Sequence, residues 1–351
     1  MLKMRIARAP LLDEENKTIL DEYNRLASAR IPLNEFVHWV TNSPEGAAWH
    51  AILETDEGTI VGHTSVFPLR AGYGGAGLIP AKSEYSFLHE DFRKEKIRGQ
   101  ETAGRPAFIT LLDRLFQHCH EQGWGPIFAS TNEKNQVFTR KVGLRPLEFP
   151  LSECLLILKP VNAAKATPNL NKWQRMALFA SGVAQGAIWP IMTEWFESSN
   201  GIRKTPAGRE GVKAGEKLFS FFEDADSLRW RYLDGQYVRF GISESPEDYL
   251  IAKRGSASRY MRVCQWRLRS PKATMPILAA LTREARADGA MGVRWAVYDG
   301  EPHAEELVRQ MRRAGMLCAR RTRIMMVHKK EDKFLEPSLW WLNDSLFSFD
   351  P

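Results

Sequence analysis

The order strand, helix, strand, helix, glycine, strand occurs twice in this chain. The first pass runs through strand Ile79–Leu88, helix Pro106–Gln122, strand Pro126–Ser130, helix Glu133–Lys141, Gly143 and strand Leu151–Leu158. The second runs through Arg259–Leu268, Pro276–Asp288, Gly292–Tyr298, Ala304–Ala314, Gly315 and Thr322–His328. Helices Asp13–Ala29 and Leu33–Val40 precede the first pass. So do strands Trp49–Glu54 and Thr59–Leu69, joined by the turn Asp56-Glu57-Gly58. This order predicts an α/β (α+β) fold of two tandem domains, each a mixed, mostly antiparallel sheet flanked by helices. The helix over 106–122 is the best marked: Phe108, Leu111, Leu112, Leu115 and Phe116 form one apolar stripe, and Gly123 follows as a C-terminal stop.

Composition sets the boundaries. At 351 residues the chain is long for one core and comfortable for two. Eleven Trp and eighteen Phe argue against a disordered chain. The polar, Pro- and Gly-bearing stretches 159–172 and 204–215 read as linkers, which gives domains 1–160 and 216–351 with a connecting segment 161–215. Within it, Met176 to Thr193 carries no charge, and Lys172, Arg175, Trp189 and Trp195 flank or punctuate it. A linker helix is expected, with peripheral membrane contact through 172–197 as a lesser expectation.

The net charge of +7 suits an anionic ligand without choosing one. Basic stretches Arg259–Lys272 and Arg309–Lys330 include Tyr260 and Trp266, but Glu305 and Glu306 interrupt them, so nucleic acid ranks low among partners. Cys119, Cys154, Cys264 and Cys318 are widely separated, so neither a disulfide framework nor a structural metal is expected. His118-Cys119-His120 on a helix points its members in different directions and is expected to be structural. The N-terminus lacks a signal-peptide apolar stretch, and a cytoplasmic location is expected.

The segment Leu88-His89-Glu90-Asp91-Phe92-Arg93-Lys94 resembles the V-H-P-[DE]-[YF]-R-[GK] run of GNAT acyltransferases. Gly123-Trp124, Asn132-Glu133 and Lys141-Val142-Gly143-Leu144 follow in that superfamily's order. In the second half Gly315-Met316, Leu228 to Tyr232 and the tail Trp340 to Asp350 are similar to tandem GNAT proteins, which are bacterial. The resemblance implies acyl transfer from acetyl-CoA or another acyl-CoA to an amine, such as a small amine or an amino sugar. It implies a CoA site in the first half, with Leu88, Arg93, Lys94, Arg98, Gly99, Gly104 and Asn132 as binding residues and the helix over 106–122 receiving the pyrophosphate. The family's glycine-rich loop is altered: Lys96 and Arg98 stand where it has glycines, and Gly99 to Gly104 are added before the helix.

Direct attack by an amine on a thioester needs a base, and Glu84 is the first candidate, since glutamate is depleted in strands; Glu54 is the second. Thr139 occupies the position where the superfamily often has a Tyr acid. Tyr85, Trp230 and Tyr232 are candidates for the acceptor pocket, although Tyr85 should face away from Glu84 in a regular strand. The second half has no phosphate loop and is expected to help form that pocket. The alternatives are a degenerate acyltransferase that only binds a ligand or partner, and a Fem-type transferase with a non-CoA donor.

Overall fold

The computed structural model describes residues 1–73, 76–95, 97–98, 105–130, 136, 139–166, 171–173, 175–176, 179–185, 202–205, 219–221, 224–242, 245–268, 271–301, 303–328 and 340–341. The first half runs β1 (Lys3–Arg8), α1 (Asp13–Ala27), α2 (Leu33–Thr41), β2 (Trp49–Glu54), β3 (Ile60–Pro68), β4 (Ala71–Tyr73), β5 (Ala76–Leu78), β6 (Ala81–Leu88), α3 (Ala107–Glu121), β7 (Ile127–Ser130) and β8 (Leu144–Ile157). Next come α4 (Pro160–Ala166), β9 (Ile202–Thr205), β10 (Phe219–Phe221) and α5 (Ala225–Arg231). The second half continues with β11 (Tyr237–Ile242), β12 (Ser245–Lys253), β13 (Met261–Arg267), α6 (Thr274–Ala287), β14 (Gly292–Tyr298), α7 (Ala304–Arg313), β15 (Leu317–His328) and β16 (Trp340–Trp341).

Twelve strands form one mixed sheet in the order β1-β2-β3-β6-β7-β15-β8-β14-β13-β12-β11-β9. The two halves meet by exchanging their last strands. β8 and β15 pair antiparallel from Leu144↔His328 to Leu155↔Leu317. β15 of the second half then pairs with β7 of the first, while β8 of the first pairs with β14 of the second. Gly143 and Gly315, each at positive φ, end the helices before these two strands in the same way. Cys154 and Cys318 face each other in this register and form a disulfide, contrary to the expectation of unpaired cysteines. The pairing depends on a register between residues far apart in sequence, which spacing alone does not reveal.

Side-chain alternation gives the sheet two apolar faces. In β2, Ile52 joins the core under α1 and α2, whereas Ala51 and Leu53 join the core under α3. Phe67 and Val66 of β3 divide the same way, as do Phe128 and Ile127 of β7. A third core packs α6 and α7 on the second half, through Leu281, Trp295 and Met311. At the exchange the backbones are in close contact: a Cβ at Gly292 would lie 2.0 Å from the Leu156 carbonyl oxygen. Among the described residues no helix is long and apolar enough to cross a membrane.

Candidate functional site

β6 is the strand on which a site can form. It pairs in parallel with β7 only at Ala81, Lys82 and Ser83. On its other side Ser65 of β3 faces Glu84 and His63 faces Phe87, so Thr64 alone spans both Tyr85 and Ser86. Tyr85 is the extra residue, at φ 54, a β-bulge that turns β6 away from β7. The bulge also breaks the alternation expected to set Glu84 and Tyr85 on opposite faces: Glu84 pairs with Ser65, on the same side of β3 as Phe67, and Tyr85 joins the core of Phe67.

A cavity lined by both residues has a volume of about 740 Å³. Tyr23, Leu26 and Ala27 of α1 line it on one side of the sheet; Pro106, Phe108 and Phe116 line it on the other. It therefore passes between the diverging strands. Its volume lies within the usual range for small-molecule sites. Arg93, Leu88, Ser130 and Thr139 also border it. The N-terminus of α3 reaches it with Pro106 as N-cap, no side-chain cap and no acidic residue in the first turn. A helix end of that kind is suited to an anion.

Glu84 shares its strand face with a residue the sequence reading overlooked. The Lys82 ammonium is fully buried and lies 2.6 Å from the Glu84 carboxylate. Burial pulls the Lys82 pKa below its ordinary value; the Glu84 carboxylate opposes this, while Arg231 and Arg262 add to it. The signal was available, since positions 82 and 84 of a strand share a face. Burial, followed by the neighbouring Glu84, holds the Tyr85 phenol well above its usual pKa, so it stays a proton-bearing donor. Its ring packs edge-on against Tyr23 and Phe36, at 5.3 and 4.9 Å.

The bulge is held from behind by two buried histidines. His63 Nδ1 lies 2.8 Å from the Tyr85 carbonyl oxygen, and His50 Nδ1 lies 2.9 Å from His63 Nε2. A carbonyl only accepts, so His63 carries its proton on Nδ1, and its bare Nε2 accepts from His50. Burial brings the His63 pKa down to about 4 and lowers that of His50 as well. Between pH 6.5 and about 4 the unfolded chain binds a proton at His63 that the folded chain refuses, so stability falls as pH drops through that window. The expected loss from His63 is about 3 kcal/mol, complete near pH 4, read from urea unfolding across the range. Substituting His63 with Gln should flatten this dependence.

The other expected site residues divide into three groups. Glu54 binds Arg5 at 2.8 Å on the outer strands and does not line the cavity, because its strand lies two positions from β6. Arg98 binds Asp56 at 3.0 Å, drawn there by the bridge between Ile97 and Leu2; Lys94 is exposed and also lies off the cavity wall. Trp230 and Tyr232 are not among the residues that line this cavity, although Trp230 and Tyr85 belong to one core. The Trp230 indole donates to the Trp39 carbonyl at 3.2 Å within the α2 core, and the Tyr232 hydroxyl donates to Gln265 at 2.6 Å. Gly99, Gly104 and Asn132, with Lys96, lie outside the described residues.

In the second half β13 and β14 pair in parallel only at Met261 and Arg262. There the gap is crossed by Trp266, whose indole donates to the Ala296 carbonyl at 3.4 Å and whose ring meets Trp295 at 5.9 Å. Indole rings occupy the place that the cavity holds in the first half. Among the described residues no group of three or more His, Cys, Asp or Glu could hold a metal ion.

No family model matches the chain, and no curated protein matches it in sequence. Solved structures do match in fold. A GCN5-related N-acetyltransferase from Kribbella flavida is 10% identical, with a TM-score of 0.52 over 92% of this chain and 71% of that one. A Pyrococcus horikoshii protein is 10% identical, with a TM-score of 0.52 over 99% and 95%. The Saccharomyces cerevisiae N-myristoyltransferase solved with bound myristoyl-CoA is 8% identical, with a TM-score of 0.54 over 93% and 82%. The splayed β6 and β7, the helix between them and these likenesses agree: the chain has the GCN5-related N-acetyltransferase fold, built from two tandem halves.

Proposed function

We propose that the protein transfers an acyl group from acyl-CoA to an amine at the cleft between β6 and β7. The observation that carries this reading is the cavity that passes through the sheet at the bulge, with the α3 N-terminus at one mouth and Glu84 on its wall. The donor lies across the opening with its pyrophosphate at α3 and Arg93, and its thioester at the bulge. The acceptor amine enters from the α1 side, past Tyr23 and Leu26. The amine nitrogen bonds to the thioester carbon, its proton passes to the Glu84 carboxylate, and the carbon–sulfur bond breaks. The departing thiolate takes a proton from water or a wall hydroxyl. The Tyr85 phenol, held protonated, can donate to the oxygen on which charge develops.

Calorimetry with acetyl-CoA and with longer acyl-CoA tests this reading. Micromolar binding is expected, weakened about tenfold by Arg93→Ala, the loss of one charge-assisted contact. A folded protein that binds neither donor would overturn it.

A further inference from the structure

The connecting segment carries an exposed apolar face. Its described residues 172–173, 175–176 and 179–185 are helical. One side of this helix is fixed to the protein: Gln185 accepts from the Ile157 backbone N–H and donates to the Gly315 carbonyl, both at 2.6 Å. Gly182 fits so closely that a Cβ there would lie 2.7 Å from Pro160. Away from that side stand Trp173, Met176, Phe179 and Val183, exposed at 76, 54, 45 and 53%. At 3.6 residues per turn these four fall along a single face, turned from the one that carries Gly182 and Gln185. Singly exposed apolar residues are common, but a stripe of this kind marks a surface that meets another apolar phase.

Charge decides which phase. From Cys154 to Thr193 the sequence has no Asp or Glu, whereas Lys172 and Arg175 stand at the start of the helix and Lys165 lies before it in sequence, near the end of α4. Lys165 and Lys172 are exposed. An apolar stripe with Trp and Phe, flanked in sequence by Lys172 and Arg175, complements a bilayer whose surface is anionic. We infer that the helical residues 172–173, 175–176 and 179–185 dock the protein on the surface of an anionic membrane, with Trp173, Met176, Phe179 and Val183 entering the headgroup region. The helix lies on the surface and does not span it.

The test is sedimentation of the full chain with vesicles of phosphatidylcholine alone and of phosphatidylcholine mixed with phosphatidylglycerol. The chain should sediment with the mixed vesicles at least about tenfold more strongly than with the neutral ones, and added salt should weaken this. W173S/F179S should lose it, and K165E/K172E should reduce it severalfold. All four side chains are exposed, so acyl-CoA binding by both variants should stay unchanged, which separates this result from that of the proposed activity. Failure to sediment with the mixed vesicles would overturn the inference, as would sedimentation that W173S/F179S retains. So would a dimer in analytical ultracentrifugation that W173S/F179S dissociates, because a second copy would then cover the stripe.

Discussion

Glu84→Gln should leave acyl-CoA binding intact and lower acyl-transfer turnover about 10²–10⁴-fold, the usual contribution of a positioned general base. Gln keeps the shape of the side chain and still accepts a hydrogen bond from Lys82, but it cannot take a proton from an amine. The effect should therefore fall on turnover and not on donor affinity. Release of the CoA thiol against a panel of amines at saturating donor measures the first, and calorimetry the second. A variant within a few-fold of the wild type in turnover would remove Glu84 from the chemistry. Glu54 would not take its place, since its carboxylate is held by Arg5 away from the cavity.

The residues that carried the fold in the sequence were those whose signal is local. The apolar stripe of α3 and the glycines after two helices fixed the repeated order, and the observed α3 differs from the expectation by one residue at each end. Of the run from Leu88 to Lys94, Leu88 and Arg93 line the cavity. The strand exchange was not legible, for two local reasons. Pro146 and Pro150 lie inside β8, a central strand, and proline argues against strand continuation, so the expected strand began only at Leu151. The first part of β15 carries exposed Arg320 and Arg321 and half-buried Arg323, matched by Asp299 and Glu153, and lacks the apolar alternation that marks a strand. The bulge was hidden for another reason. Tyr85 adopts positive φ with neither Gly nor Asn to announce it, and what holds it there is a histidine on a different strand. Long-range contacts set the surroundings of the other candidate residues. Trp230 and Tyr232 were sought in a pocket with Tyr85; their hydrogen-bond partners are Trp39 of α2 and Gln265 of β13.

Lys82 and Glu84 should behave as one unit in stability. Glu84→Leu leaves a fully buried ammonium without its carboxylate, and removal of one member of a buried pair costs about 3–5 kcal/mol. Lys82→Met/Glu84→Leu should recover most of that loss, because the desolvation penalty disappears with the charge and apolar replacement of a buried pair is often neutral. The direction of the Lys82 shift adds a second signature. Its folded pKa lies below the ordinary 10.5, so in the interval beneath that value the unfolded chain holds a proton that the folded chain releases. Stability therefore rises with pH through that interval, and in Glu84→Leu, which has lost the carboxylate that opposed the shift, the rise should begin at lower pH. Urea unfolding of the wild type and the two variants, from neutral pH upward, reads both effects. A Glu84→Leu variant destabilised by less than about 1 kcal/mol, with no gain from adding Lys82→Met, would mean that another group neutralises Lys82. The double variant also serves the chemistry: once its recovered stability shows it to be folded, it lacks the carboxylate, so any acyl transfer it retains measures what positioning at the bulge contributes without a base.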